Sequence, residues 1–522
     1  VVIDEKDAAL TDFQLSQPDN SKFMTEVYPN GLDFVHQESD FVDFRTEPLM
    51  PHMMSRFGPG LAVADVNGDS LDDVFLGGSS NAVTSKLYIQ NADGSYSAAA
   101  SQPWAISSKR EHVDAKFFDK DNDGDLDLIV ISGGNEFGKM GEHYSPAIYE
   151  NDGKGFYSKT ISSLPAIVSP GLSIAIGDMD NDGDSDIFLG GSVVPRSYPI
   201  ASESFLLENN GVGVFTNVTN KWNAELKNCG INTCASFSDL NKDGKLDLVL
   251  AGYWKNISVF LNTGKSFENK TNDLGLGKSS GWWNALKIVD VDMDGDLDIV
   301  AGNEGLNNVL GVSASTPASL IYGDMNRNNT NDAVCFYTIN GEQVPLHSYK
   351  EIAQQLPALI QKRYPKAAMY ATTNITNIFT EQELKKSIKY EVNMFASGVF
   401  INKNGKYQFN PFPKLAQVSN INDIMVKDVN DDKKPDLILV GNSNAPRVTT
   451  GSNDVHTFTI SNTTGTAALN VTTIVLSGTN MADFAIGGIT LPASITSGVT
   501  TTFTVTFSPS AAGVRNATVT VN

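Results

Sequence analysis

The sequence predicts an all-β chain: a seven-bladed β-propeller with a helical insertion, followed by a small C-terminal β-sandwich. Three observations predict this. An acidic loop of nine residues, Asp-x-Asp/Asn-x-Asp/Asn-x-x-x-Asp, occurs seven times between Asp65 and Asp436. Short apolar runs closed by small residues follow the loops, at 74–78, 128–134, 187–191, 248–252 and 437–441. A second strand-and-turn signature recurs between loops, at 87–94, 148–153, 206–211, 260–264 and 400–405.

The loops carry the strongest chemistry. Their oxygen-bearing positions are Asp65, Asn67, Asp69 and Asp73; Asp119, Asp121, Asp123 and Asp127; Asp178, Asp180, Asp182 and Asp186. The series continues with Asp239, Asn241, Asp243 and Asp247; Asp290, Asp292, Asp294 and Asp298; Asp324, Asn326, Asn328 and Asp332; Asp428, Asn430, Asp432 and Asp436. Carboxylates crowded into one bend repel each other unless a cation sits among them, and oxygen-only ligands suit Ca²⁺ before Mg²⁺. Positions one, three, five and nine would give side-chain oxygens, and position seven a carbonyl. The spacing is not that of an EF-hand, whose closing acid is a Glu at position twelve. A solvated acidic turn is the alternative for any single copy, since Asp, Asn and Gly make common turns. Seven copies in register argue against it for the set. In the sixth copy Asn replaces two acids and no Gly appears, so both readings stay open there.

Apolar runs of four or five residues bounded by Gly read as buried strands. Each loop is therefore the bend of a hairpin. The opening aspartates follow one another at 54, 59, 61, 51, 34 and 104 residues. A period near 50 with several strands per repeat points to propeller blades, each a metal hairpin plus an outer hairpin. The short and long steps mark an irregularity. Between 345 and 396 the β-pattern lapses, and 348–364 and 381–390 carry helix formers with apolar residues three and four apart. This predicts a helical insertion within the sixth blade, with Thr380 as an N-cap. Segments 23–28 and 31–36 read as outer strands that finish the blade holding Asp428. From about Gly451 acids thin out and Thr, Ser, Ala and Val alternate, which suits a sandwich. The domains are thus 1–450 and 451–522.

The loops, together with Phe57, Gly58, Pro59 and Gly60, resemble the FG-GAP/VCBS repeat family, seven-bladed propellers known from integrin α-chains and bacterial surface proteins. The resemblance covers roughly residues 50–450 and implies Ca²⁺ in six to seven loops on one side of the propeller. Ser70 and Lys433 depart from the family's Gly, as does the Asn-rich loop 324–332. Segments 462–469, 477–484 and 507–513 resemble the Ig-like choice-of-anchor D domains of bacterial exported proteins. That likeness implies an Ig-like β-sandwich acting as a spacer near an anchor.

Composition bounds the rest. The 522 residues carry a net charge of −22, and six to seven Ca²⁺ would offset about twelve to fourteen of those charges. The negative sign disfavours nucleic acid. No run approaches the ~20 apolar residues of a membrane span. Val1 in place of Met fits a removed signal sequence or a trimmed chain, and the stop inside a strand at Asn522 predicts further protein beyond it. Millimolar Ca²⁺ belongs outside the cytoplasm, so the expected location is extracellular or cell-surface. Cys229 and Cys234 are near enough in sequence to pair, while Cys335 reads as a buried strand thiol.

Ligands of propellers usually bind one mouth, near the starts of the innermost strands. These starts are expected at Phe57, Glu111 and His112, Gly171, Ile231 and Asn232, Trp282 and Trp283, and Asn420 and Ile421. Trp282 and Trp283 followed by Asn284 are the most ligand-like, because stacked aromatics beside amides suit sugars; packing of a Trp between blades is the alternative. His52, Arg56, Arg110, Glu111 and His112 stand near the same mouth, either converging on it or packing loops through salt bridges. No Gly-x-Ser-x-Gly elbow, His-Glu-x-x-His or phosphate loop occurs, and nothing nominates a glycosidase carboxylate pair. The expected function is a non-enzymatic binding, adhesion or surface-assembly module for protein or glycan. The alternatives are a polysaccharide lyase or hydrolase and an accessory subunit of an outer-membrane transport or secretion assembly.

Overall fold

A computed structural model describes residues 27, 29–106, 109–138, 140–160, 162–441, 454–461, 468–477, 481–496, 500–507 and 518–521. Small antiparallel sheets dominate it. The first sheet orders Leu61–Ala64, Asp73–Leu76, Lys86–Gln90 and Tyr96–Ala98. The second orders His112–Phe118, Asp127–Ser132, Ala147–Glu150 and Ser158–Lys159. The third runs through Gly171–Gly177, Asp186–Gly191, Phe205–Glu208 and Thr216–Asn217. The fourth has Ile231–Ser238, Asp247–Lys255, Ser258–Asn262 and Phe267–Asn269, with Gly281–Trp282 pairing onto its second strand.

The fifth sheet is discontinuous in sequence. Ala285–Val289 and Asp298–Gly302 are completed by Gly398–Asn402 and Tyr407–Pro411. Nested between its halves lies another sheet, ordered Glu342–Pro345, Asp332–Ile339, Ala318–Gly323 and Ile388–Val392. Short helices including Tyr349–Gln355, Pro357–Arg363 and Glu381–Lys386 separate the last two of its strands in sequence. Thr380 does cap the last helix, in a reciprocal bond with Glu383. The 34- and 104-residue steps thus arise because the Asp324 hairpin is inserted into the fifth sheet rather than following it. The signature at 400–405, expected to belong to a later blade, is the outer hairpin of the fifth sheet. A two-stranded sheet, Asp423–Lys427 with Asp436–Val440, comes last before the C-terminal segment.

Why these strands form is plain from burial. The second strands Asp127–Ser132, Asp186–Gly191 and Asp298–Gly302 are buried at every residue, so apolar side chains suit both faces. First strands of neighbouring sheets lie side by side, His112–Phe118 between Leu61–Ala64 and Gly171–Gly177, and Ile231–Ser238 between Gly171–Gly177 and Ala285–Val289. The small residues closing the apolar runs permit this approach. A Cβ on Gly302 would meet the carbonyl oxygen of Ile421 at 2.6 Å, and one on Gly190 would meet Asn232 Cβ at 2.9 Å.

Segment 31–36, read as a strand, contains none. It lies along the first sheet instead of the sheet holding Asp428: Tyr96 N donates to Asn30 O at 2.6 Å and Tyr88 Oη to Asp33 at 2.7 Å. Segment 23–28 falls outside the described residues except Val27. C-terminally, Asp454–Ser461, Thr500–Phe507 and Phe484–Gly487 form one antiparallel sheet, and Leu469–Val471 with Ala493–Ile495 and Ile474–Ser477 with Thr518–Val521 form two pairs. Most of 462–469 and of 507–513 lies outside the described residues. Cys229 and Cys234 form no disulfide with each other, and Cys335 is a buried thiol in the strand Asp332–Ile339.

Candidate functional site

All seven acidic loops close in one register. The closing aspartate pairs with the residue just before the opening one: Ala64 with Asp73, Phe118 with Asp127, Gly177 with Asp186 and Ser238 with Asp247. Val289 with Asp298, Gly323 with Asp332 and Lys427 with Asp436 repeat it. Inside each loop, Oδ2 of the opening aspartate accepts the sixth residue's N–H. Ser70, Gly124, Gly183, Gly244, Gly295, Asn329 and Lys433 donate it, at 2.6 to 3.0 Å. The fifth side chain accepts the seventh N–H in every loop, from Leu71 to Asp69 at 2.9 Å through Lys434 to Asp432 at 2.9 Å.

This winding needs a left-handed backbone at two positions. The sixth residue has φ between 64° and 98°, which glycine adopts freely and Ser70, Asn329 and Lys433 adopt with strain. The fourth has φ between 60° and 77°, and there Asn122, Asn181, Lys242, Met293, Arg327 and Asp431 carry side chains. The degenerate sixth loop shares this winding, though its closing Asp332 accepts from the Gln355 side chain at 2.7 Å.

The closing aspartates do more than face the loop. Asp73, Asp127, Asp186, Asp247 and Asp298 are fully buried. One oxygen of each takes the second residue's N–H, as from Met179 to Asp186 at 2.9 Å. The other takes an N–H at the end of the third strand, from Gln90, Asn151, Asn209, Asn262 and Asn402 respectively, at 2.7 to 3.0 Å. Burial pushes Asp127 and Asp247 up to about 6 and Asp186 up to about 7, with nearby loop carboxylates raising them further. Positive charge placed in the bend would lower these values again.

The donor set fits a hard cation. Carboxylate oxygens of Asp119, Asp121 and Asp123, of Asp178, Asp180 and Asp186, and of Asp290, Asp292 and Asp294 each lie within 4.8 Å of one another. Asp121 Oδ1 and Asp180 Oδ1 are buried without a hydrogen-bond partner. Loops with Asn67, Asn241, Asn326 and Asn430 at the third position keep an oxygen there with one charge fewer. The second loop contains its own cation, since Lys120 Nζ lies 2.6 Å from Asp121 and 3.4 Å from Asp127.

The residues expected to bind ligand are packed instead. Trp282 and Trp283 are 4% and 0% exposed, so neither offers a face for stacking at the surface. Trp283 donates to Ser279 O and packs on Phe400. Trp282 meets Trp254, Phe395, Tyr253 and His52. Asn284 accepts from Tyr253 Oη at 2.6 Å, and His112 Nδ1 lies 2.6 Å from Ser85 Oγ. Arg56 donates to Phe41 O and pairs with Glu38. Arg110 donates to the carbonyl of Ser145. Salt-bridged loop packing is what the structure shows around Arg56.

Sequence reasoning missed a set of asparagines. Asn151, Asn209 and Asn262 send Nδ2 to the second-position carbonyl of the preceding sheet's loop: Val66 at 2.8 Å, Lys120 at 2.8 Å and Met179 at 2.6 Å. They had the look of ordinary turn residues; their recurrence at a fixed place after each third strand was the available signal.

Comparison with known proteins agrees with the repeat. The family model described as FG-GAP-like repeat matches residues 65–130, 119–189 and 239–301. The chain therefore contains three FG-GAP-like repeats, and these spans take in the first five acidic loops. No curated protein matches the sequence. Among solved structures, Sqt1 of Saccharomyces cerevisiae is similar at 10% identity over 76% of this chain and 96% of that one, with a TM-score of 0.31. A putative exo-beta-1,3-galactanase from Bifidobacterium bifidum has 9% identity over 57% and 97%, TM-score 0.24. A Trypanosoma rangeli sialidase in complex with the inhibitor DANA has 10% identity over 53% of each chain, TM-score 0.20. Scores this low carry no functional argument.

Proposed function

We propose that this chain is an extracellular, calcium-stabilised β-propeller that serves as a binding or surface-assembly module for a protein or glycan ligand, followed by an Ig-like spacer. The carrying observation is the sevenfold loop geometry, in which oxygen-bearing side chains at positions one, three, five and nine converge on one bend, with three carboxylates within 4.8 Å of one another in three of the loops. Each Ca²⁺ would be held by side-chain oxygens at positions one, three, five and nine, supplying the positive charge the bend lacks. Ions at one end of the sheets would leave the other end to present loops to a partner. The FG-GAP-like repeats support the propeller reading. Among the described residues no helix is long and apolar enough to cross a membrane.

The test has two parts. Elemental analysis of protein purified in calcium should find several Ca²⁺ per chain, and chelation should lower the melting temperature by many degrees. Glycan and cell-surface protein arrays probed in calcium should then give hits that vanish in chelator. A metal-free protein whose melt ignores chelator would overturn the reading.

A further inference from the structure

At the opposite end of the second sheet from its acidic loop, carboxylates gather again, with a different architecture. Glu111 precedes the strand His112–Phe118, and Glu136 follows the strand Asp127–Ser132. A seven-residue strand separates this end from loop 119–127 by about 20 Å. Glu111 is 3% exposed, and neither of its carboxylate oxygens has a hydrogen-bond partner; the two oxygens of Glu136 also have none. The two side chains crowd one point. A Cβ built on Gly134 would lie 2.2 Å from Glu136 Oε2 and 3.1 Å from Glu111 Oε2. Gly134 has φ of 92° and, lacking that atom, leaves the space between them open.

Two more acids back this pair, from the segment preceding the first sheet; a third, Glu38, also faces Glu111 but is already met by Arg56 and His36. Asp43 is fully buried and Glu47 partly so. Their charges have donors: Ser55 Oγ at 2.5 Å and Asn135 Nδ2 at 2.8 Å for Asp43, Asn135 Nδ2 and Tyr198 N at 2.9 Å each for Glu47. Asn135 thus turns its amide away from Glu111 and Glu136. Arg196, the neighbouring base, donates its backbone N–H to Asn135 Oδ1 at 2.6 Å and a guanidinium N–H to the Glu136 carbonyl at 2.8 Å, and makes no ion pair with either glutamate within 4.0 Å. Among the described residues none of the carboxylates of Glu111, Glu136, Asp43 and Glu47 has an ion pair within 4.0 Å.

We propose that Glu111 and Glu136, backed by Asp43 and Glu47, hold a divalent cation of calcium type, separate from the loop sites. Buried carboxylates left facing each other must take up a proton or a cation. One shared proton would remove a single charge from a group of four. A hard divalent ion would remove two and would use all four unpartnered oxygens, the ligand type Ca²⁺ selects. Burial pushes both glutamates upward from the usual carboxylate range, with the charge of Glu136 adding to it at Glu111 and that of Asp43 at Glu136, the condition a bound cation reverses. Such an ion would fasten the segment carrying Asp43 and Glu47 to the second sheet.

The test uses the full chain and two readouts. Crystals of the unaltered protein soaked in Mn²⁺ should show an anomalous peak between Glu111 and Glu136, with the loop peaks as internal standard. Loop peaks without one at this pair would overturn the inference and leave the proposed function standing. No peaks anywhere would sink both. In solution, Glu111→Gln and Glu136→Gln should each bind one Ca²⁺ fewer per chain than the unaltered protein. Unchanged stoichiometry in variants with native circular dichroism would mean that the pair shares a proton, and would refute the site.

Discussion

The side-chain amide of Asn262 donates to the carbonyl of Met179 at 2.6 Å, fastening the turn of the fourth sheet to the acidic loop of the third. The same amide reaches Leu246 O at 3.1 Å, and the Asn262 N–H reaches Asp247. One residue thus ties two neighbouring loops and a closing aspartate into one network, and the loops are coupled through the sheets between them.

That coupling predicts the cost of breaking it. Asn262→Ala leaves the buried carbonyl of Met179 and the half-buried one of Leu246 without this donor and should destabilise the protein by about 2 kcal/mol, read from urea denaturation. Asn402→Ala should cost less, because its Nδ2 makes only a long 3.5 Å bond to Leu297 O. Equal losses would show that the bridge to the preceding loop contributes nothing.

Removing an opening aspartate should act through the ion. Asp178 accepts from Asp182 N and Gly183 N and lies with Asp180 and Asp186 in a group whose carboxylate oxygens are within 4.8 Å of one another. Asp178→Ala should lower the melting temperature strongly in calcium and hardly at all in chelator, where no ion is there to lose. Asp273→Ala, with a side chain 72% exposed, is the control expected to change neither.

Backbone strain gives the opposite sign. Lys433 occupies the sixth position at φ 65°, a conformation that costs a side-chain-bearing residue about 1 kcal/mol. Lys433→Gly should raise stability by up to that amount, and Gly183→Ala, at φ 98°, should lower it similarly. Differential scanning calorimetry of both variants in calcium would show whether the loop geometry is as uniform as its hydrogen bonds.

Acidity should separate the two forms of the protein. Asp127, Asp186 and Asp247 have native values of about 6, about 7 and about 6, above the ordinary 3.8. Groups raised in the native state stabilise it fully below their unfolded value and lose that contribution as pH climbs through the native one. Metal-stripped protein should therefore melt progressively lower between pH 5 and about pH 8. Calcium-saturated protein should show no such decline, since the ion replaces the proton. Parallel pH profiles with and without calcium would contradict this.

The loops were legible because nine residues fix their own chemistry: alternating oxygens, a left-handed turn and a flanking apolar run suffice. Their register, seen in pairs such as Ser238 with Asp247, follows from the hairpin. The nested sheet was not legible. Strand pattern reports local alternation, not partners, so 400–405 looked like the next repeat while it pairs with Asp298–Gly302. Trp282 and Trp283 misled for a related reason: consecutive residues of an extended chain point to opposite sides, and here both sides are filled. The pairing of Tyr253 with Trp282 is a long-range fact that no window around Trp282 contains.

The nesting has a consequence for how the polypeptide is made and remade. Ala301 pairs with Gly398, so residues 303–397 depart from and return to adjacent backbone positions. During synthesis the edge of Asp298–Gly302 stays without its outer neighbour until that excursion has emerged. The excursion is nevertheless no detachable cassette: Phe395 within it packs on Trp282, and Asn393 and Met394 N–H groups donate to Ser280 O, so its return also completes the packing around the fourth sheet.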